Sequence, residues 1–348
     1  MTIKDLAAKT GYAVGTVSRA LNNQPNVSRE ARDAILNAAR EMGFQLNENA
    51  RRLKQHQSNT ILVMVKGNAN ELFGAMVETI QALIASSPYQ LAVDYSDEDD
   101  NQVARAVDLC RERKPVGILF LGGSNQNFLS DFGSIDVPCV VITHDASQLH
   151  FRNLSSVSTD DAQAAKAAID LLISLGHSRI AIIGGDRATS DTSRLRYEGC
   201  MLSFREHSIP FDPSRDFQGV RYSYRDGYQA VQTLLENGCR FTAIFAHADV
   251  MAIGAIRALW DHGLRVPEDI SVMGVDELPL GNFLVPQLAT VKQNTARLAS
   301  RGVELLLDAI ENGAPAVHET VPFCLLRKES IRDIRKQGEN KTCVQAAF

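Results

Sequence analysis

The first side chains whose spacing carries chemical meaning lie between residues 14 and 22. Val14, Val17 and Leu21 recur at i, i+3 and i+7, which puts them on one face of a helix, while Gly15, Ser18, Arg19 and Asn22 share the opposite face. One face can pack and the other can touch a partner through a guanidinium, a hydroxyl and an amide. Catalytic spacing is missing elsewhere: no G-x-G-x-x-G, G-x-x-x-x-G-K-[ST], H-E-x-x-H or G-x-S-x-G string occurs. Cys110, Cys139, Cys200, Cys239, Cys324 and Cys343 are scattered without a C-x-x-C pair, so they read as mostly buried, reduced core residues. No catalytic residue, metal ligand or cofactor is assigned, and an enzyme is not expected.

Three short helices must hold the 14–22 face in place. Thr2 and Asp5 have the spacing of a helix cap ahead of Ile3, Leu6 and Ala7, and Gly11 ends that helix. Ser28 suits the N-cap of a third helix with an apolar stripe at Ile35, Ala38, Ala39 and Met42, stopped by Gly43. Two short helices joined around a glycine and closed by a third form a helix-turn-helix arrangement, or else a generic three-helix packing unit. Charge favours the former. Residues 1–58 carry nine basic and five acidic side chains, a net of +4, whereas the other 290 residues carry 27 and 36, a net of −9, within a total of −5. Such asymmetry points to nucleic acid or a membrane surface. With Lys4, Asp5 and Lys9 at the N-terminus and no apolar run long enough to span a bilayer, a cytoplasmic protein without membrane attachment is expected.

Fixed spacings then narrow the possibilities. Thr2-Ile3-Lys4-Asp5-Leu6-Ala7, Thr16-Val17-Ser18-Arg19-Ala20-Leu21-Asn22, Val27-Ser28, Ala31-Arg32, Asn47 and Ala50-Arg51-Arg52-Leu53-Lys54 together resemble the DNA-binding module of the lactose and galactose repressor family. The resemblance implies that the helix from Val14 lies in the major groove, with Arg19 at base edges and Thr16 and Ser18 at phosphates. An arginine can grip guanine O6 and N7 together, and hydroxyls satisfy phosphate oxygens without reading sequence. It further implies DNA contacts from Thr2, Val14, Gly15, Asn22, Ser28 and Ala50, and a hinge in which Leu53 wedges into the minor groove. Two departures stand out: Ala13 occupies the place of a capping hydroxyl, and Leu46 that of a proline.

From residue 61 onward, short β-rich runs alternate with helical patterns, which predicts an α/β core of two doubly wound lobes. The predicted strands are 61–65, 90–95, 117–121, 139–143, 179–183, 242–246 and 270–275. The strings Leu175-Gly176-His177-Ser178-Arg179, Arg196-Tyr197-Glu198-Gly199, Asp249-Val250-Met251-Ala252-Ile253-Gly254 and Val266-Pro267-Glu268-Asp269 are similar to the same family's effector-binding core, whose fold is that of periplasmic sugar-binding proteins. That likeness implies domains over 1–46 (helix-turn-helix), 47–59 (hinge) and 60–335 (core), with lobe 1 at 60–158 and 291–320, lobe 2 at 159–290 and 321–335, and a disordered tail at 336–348. It puts Arg196 and Asp276 in the cleft between lobes with Phe73 and Asp249 beside it; Tyr95 and His247 are further candidates near strand ends. Asp249 could instead cap its own helix, and His247 could be a satisfied surface histidine.

The resulting expectation is a repressor that binds operator double-stranded DNA as a homodimer or a larger assembly, switched by a small-molecule effector, a sugar or glycoside. Nucleoside-, purine- and phosphocarrier-responsive regulators of the same fold are alternatives, as is a solute sensor without DNA.

Overall fold

The computed structural model describes residues 3–21, 27–42, 58–67 and 70–335. Thr2, Asn22, Gly43, Asn47, Ala50, Leu53 and Cys343, residues 47–57 of the hinge expected at 47–59, and the tail at 336–348 lie outside them. The chain divides into two compact units, Met1–Ser58 and Asn59–Phe348.

In the first unit, α1 (Ile3–Thr10), α2 (Val14–Leu21) and α3 (Arg29–Glu41) close around Leu6, Val17 and Ile35, all fully buried. Burying each such side chain contributes roughly 1.5–3 kcal/mol. Gly11 adopts φ +72° and its N–H bonds the Ala7 carbonyl at 3.0 Å, a left-handed stop that glycine makes without steric cost. Ser28 caps α3 by accepting the Ala31 N–H at 3.3 Å. The expected packing stripe of α2 loses one member: Val17 is buried and Leu21 half-buried, but Val14 is 42% exposed.

The second unit holds two six-stranded sheets. The first runs in the order β2 (Gln90–Ser96), β1 (Thr60–Lys66), β3 (Gly117–Leu121), β4 (Cys139–Ile142), β5 (Leu154–Ser158) and β11 (His318–Thr320). The other runs β7 (Phe217–Gly219), β6 (Ile180–Gly184), β8 (Ala243–Ala246), β9 (Ser271–Asp276), β10 (Ala289–Lys292) and β12 (Cys324–Leu326). All pairings are parallel except β10 with β12. The inner strands β3, β4, β6 and β8 are buried along their whole length, as expected of parallel strands covered by helices on both faces. In each sheet the winding reverses between its first and third strands in chain order, which opens a crevice at the carboxyl ends.

The seven predicted strands are present with ends shifted by at most one residue; β5, β7, β10, β11 and β12 are additional. The chain passes from β5 to a helix of the second lobe (Asp161–Ser174), and from β10 to a helix (Thr295–Asn312) that packs on β3, β4 and β5 of the first. It passes back once more between β11 and β12. β10 lies wholly in the second sheet, so the second crossing falls after Lys292 and not at the expected 290/291. Of the cysteines read as mostly buried, Cys139, Cys200 and Cys239 are buried and Cys110 is half-buried, while Cys324 is exposed on the edge strand β12. Among the described residues no helix is long and apolar enough to cross a membrane.

Candidate functional site

Within the first unit, α2 presents one solvent-facing side. Val14, Gly15 and Arg19 are exposed, and Thr16 and Ser18 are half-buried beside them. The Arg19 Nε donates to the Gly15 carbonyl at 3.3 Å, which draws the guanidinium along the helix surface over the glycine. A Cβ on Gly15 would stand 3.7 Å from Nη2, an ordinary contact distance, so the guanidinium lies directly over that position. At the start of α2 the Ala13 carbonyl accepts the Val17 N–H at 3.0 Å, the position of an N-cap without a capping hydroxyl. Ser28 is exposed, its hydroxyl engaged as the α3 cap.

The second unit carries a cavity of about 210 Å³ at the carboxyl ends of both sheets. Lys66 ends β1, Glu98 follows β2 and Thr143 follows β4; from the other lobe come Arg196, Tyr222 and Asp276. Phe73 enters from the helix Glu71–Ile84, its ring 3.0 Å from where a Gly122 side chain would begin. Thr143 and Asp276 stand at corresponding places at the ends of the two fourth strands and both have positive φ, +73° and +120°. Non-glycine residues adopt that backbone only when their surroundings enforce it, and such positions gather at ligand sites.

Charge in the cavity is organised around Arg196. Its Nε donates to Asp161 Oδ1 at 2.8 Å and its Nη1 to the His247 carbonyl, and both members of the ion pair are buried. Burial opposes the charge of Arg196, yet Asp161, Tyr222 and Asp276 together hold its pKa above the usual range. Burial pushes the Asp276 carboxyl up to about 6, against the opposing pull of Arg196 and of the Gln293 amide that donates to its Oδ1 at 2.7 Å. Gln293 Oε1 in turn accepts the Thr159 hydroxyl at 3.0 Å. Thr159 and Gln293 sit on two of the three lobe crossings, so a bonded path runs from the cavity wall into the hinge between lobes. Further bonds span the cleft: Arg221 pairs with Asp97 and Asp99, Glu98 accepts the Tyr222 N–H at 3.3 Å, and Asp191 accepts the Asn125 N–H at 2.7 Å.

Three expected ligand residues stand elsewhere. Tyr95 is 53% exposed on the edge strand β2 and is absent from the cavity wall. His247 is fully buried, not a surface histidine; its ring lies against Gly184, neither ring nitrogen has a hydrogen-bond partner among the described residues, and burial with Arg196 nearby keeps it neutral. Asp249 is also fully buried, accepting the Leu278 N–H and the Thr290 hydroxyl, each at 2.8 Å. It ties the loop after β9 to β10, while Ala248 holds the N-cap position of its helix. Phe73, Arg196 and Asp276 do line the cavity. Lys66, Glu98, Arg221, Tyr222 and Gln293 escaped sequence reasoning, though Lys66 and Glu98 lie where a charged residue closes an apolar or β-rich run.

Residues 2–47 match the family model described as bacterial regulatory proteins, lacI family, and residues 169–331 match the periplasmic binding protein-like domain. The chain is 32% identical over 343 residues to the HTH-type transcriptional regulator MalR of Clostridium butyricum, covering 96% of this chain and 100% of MalR. It is 32% identical over 311 residues to the HTH-type transcriptional repressor CytR of Escherichia coli (strain K12), covering 89% and 90%. A crystal structure of the Lac repressor dimer bound to operator and the anti-inducer ONPF superposes with a TM-score of 0.80 at 25% identity, covering 95% of this chain and 99% of that one.

Proposed function

The chain belongs to the lacI family of bacterial regulatory proteins and is a transcriptional regulator; from that premise we propose that it is a cytoplasmic repressor that grips a near-palindromic operator as a homodimer and answers to a sugar or glycoside held between its lobes. The observation that carries the switch is the bonded path Asp276–Gln293–Thr159, which joins the cavity to two crossings. A ligand that takes a bond from Asp276 acts directly on the segments about which the lobes move. It can bias DNA binding only to the extent that it prefers one lobe arrangement over the other.

Operator contact is supported by the exposed α2 face, with Arg19 as the base reader and Thr16 and Ser18 on phosphates. Dimer formation is supported by Leu280, Phe283 and Val285, three exposed apolar side chains in one loop of the second lobe, with Phe283 83% and Val285 97% exposed. A directed, hydroxyl-rich ligand is supported by the mixture of Arg196, Asp276 and Phe73 around one cavity, since charged groups bond hydroxyls and an aromatic ring stacks on a sugar face.

Selection of binding sequences from random DNA, followed by titration of Arg19→Ala, tests the operator reading. The substitution is expected to cost about 1–3 kcal/mol on the selected site and to relax preference at one base pair per half-site. Unchanged preference would remove Arg19 from the base contacts.

A further inference from the structure

Lys66 closes β1 and lines the cavity at the reversal point of the first sheet, where it makes no ion pair or hydrogen bond with any described residue. The acids whose fields reach it are Glu98, Asp99 and Asp191, and each is engaged elsewhere. Asp99, with Asp97, holds Arg221; Glu98 accepts the Tyr222 N–H; and Asp191 accepts the Asn125 N–H and pairs with Arg194 at 3.0 Å. The cross-cleft bonds therefore hold these carboxylates on other partners, and none of them bonds the Lys66 ammonium directly.

A second cationic donor faces the same space. Arg196 spends Nε on Asp161 and Nη1 on the His247 carbonyl, while Nη2 makes no hydrogen bond with any described residue. Partly desolvated cations without partners are costly, and the cost is recovered when a ligand supplies the counter-charge. The acceptor side of the cavity is Asp276, whose carboxylate takes the Gln293 amide at Oδ1 and a backbone N–H from Asp249 and also lines the cavity.

We propose that the effector is an anionic polyol, a hydroxylated body bearing one carboxylate or phosphate that pairs with Lys66 while its hydroxyls bridge Arg196 Nη2 and Asp276. The polyol part rests on the sugar reading above, but the anionic part does not, because it follows from Lys66 alone. Burial depresses the Lys66 pKa against the pull of Glu98, Asp99 and Asp191, none of which bonds its ammonium.

Calorimetric titration of the full-length protein with matched neutral and charged probes separates the two parts: glucose against glucuronate and glucose 6-phosphate, ribose against ribose 5-phosphate, and cytidine against its 5′-monophosphate. At least one charged probe is expected to bind tenfold or more tightly than its neutral parent. Lys66→Met should abolish that ratio, and Lys66→Arg should keep most of it. A charged nucleotide preferred over its nucleoside, with no sugar bound, would keep the anion site and overturn the sugar reading. Neutral sugars binding as tightly as their acids and phosphates would keep the sugar reading and overturn the anion site. So would a ratio untouched by Lys66→Met, or no binding of any charged probe.

Discussion

Single residues decide how the cavity handles charge, and the plainest case is Asp276. Its carboxyl has a pKa of about 6 in the folded protein, above the usual carboxylate value, because burial outweighs the Arg196 and Gln293 contacts. A raised pKa means that the protonated form is the one the fold prefers, so ionised Asp276 is a strained acceptor above pH 6. A ligand hydroxyl donating to it relieves that strain, whereas below pH 6 the protonated carboxyl is a weaker acceptor. Ligand affinity measured from pH 8 to pH 4.5 is expected to be flat above about 6 and to fall up to tenfold per pH unit below it. Asp276→Asn should flatten the profile; a wild-type profile flat through pH 5 would take Asp276 out of ligand contact. Asp161 shows why the site was only half legible. Its neighbour Asp160 caps the helix locally, accepting the Gln163 N–H at 3.0 Å, yet the adjacent acid turns inward to Arg196, 35 positions away. Asp249 misled in the same manner, since its partners at Leu278 and Thr290 are set by tertiary folding. Lys66 and Arg221 carried no spacing signal at all, because their neighbours are strand ends of different βα units.

At the scale of elements, apolar strands announce themselves and polar ones do not. β1, β3 and β4 read directly as hydrophobic runs, while β5, Leu-Ser-Ser-Val-Ser, is buried along its length yet has the composition of a loop. Two of its three serines bond through their hydroxyls: Ser155 Oγ accepts the Val317 N–H at 3.1 Å, and Ser156 Oγ accepts the Ala146 N–H at 3.2 Å. The remaining strands that escaped prediction are only three or four residues long, too short for a period to emerge. Helix contacts explain one of the strings that resembled the repressor core. In Asp249-Val250-Met251-Ala252-Ile253-Gly254, a side chain on Gly254 would start 2.0 Å from the Tyr224 carbonyl of the neighbouring helix. That helix, Tyr224–Glu236, packs closely on Asp249–Asp261, and its own Gly227 would meet the Met251 carbonyl at 2.3 Å. Gly254→Ala is expected to destabilise the second unit by about 1–3 kcal/mol through forced separation of the two helices. Urea unfolding of the wild type and variant measures it, and equal midpoints would mean that the helices part without cost.

Over the whole molecule, the two compact units have opposite charge, +4 over residues 1–58 and −9 over the rest. The positive unit carries the exposed α2 face proposed to read the operator and the negative unit the cavity, a distribution that concentrates attraction to phosphate on the first. The division of labour was legible in the sequence because helix spacing and charge asymmetry are local properties. The coupling between cavity and hinge was not, because Asp276, Gln293 and Thr159 meet only after the chain has crossed between lobes. The most direct measurement is an anisotropy titration of the full-length protein on its selected operator and on random DNA, between about 50 and 200 mM salt, with and without a ligand that occupies the cavity. Operator binding that far exceeds random binding, falls steeply with salt and shifts at least fivefold when the cavity fills is the expected result. A ligand that saturates the cavity yet leaves operator affinity unchanged, or a protein that binds no DNA at low salt, would contradict it.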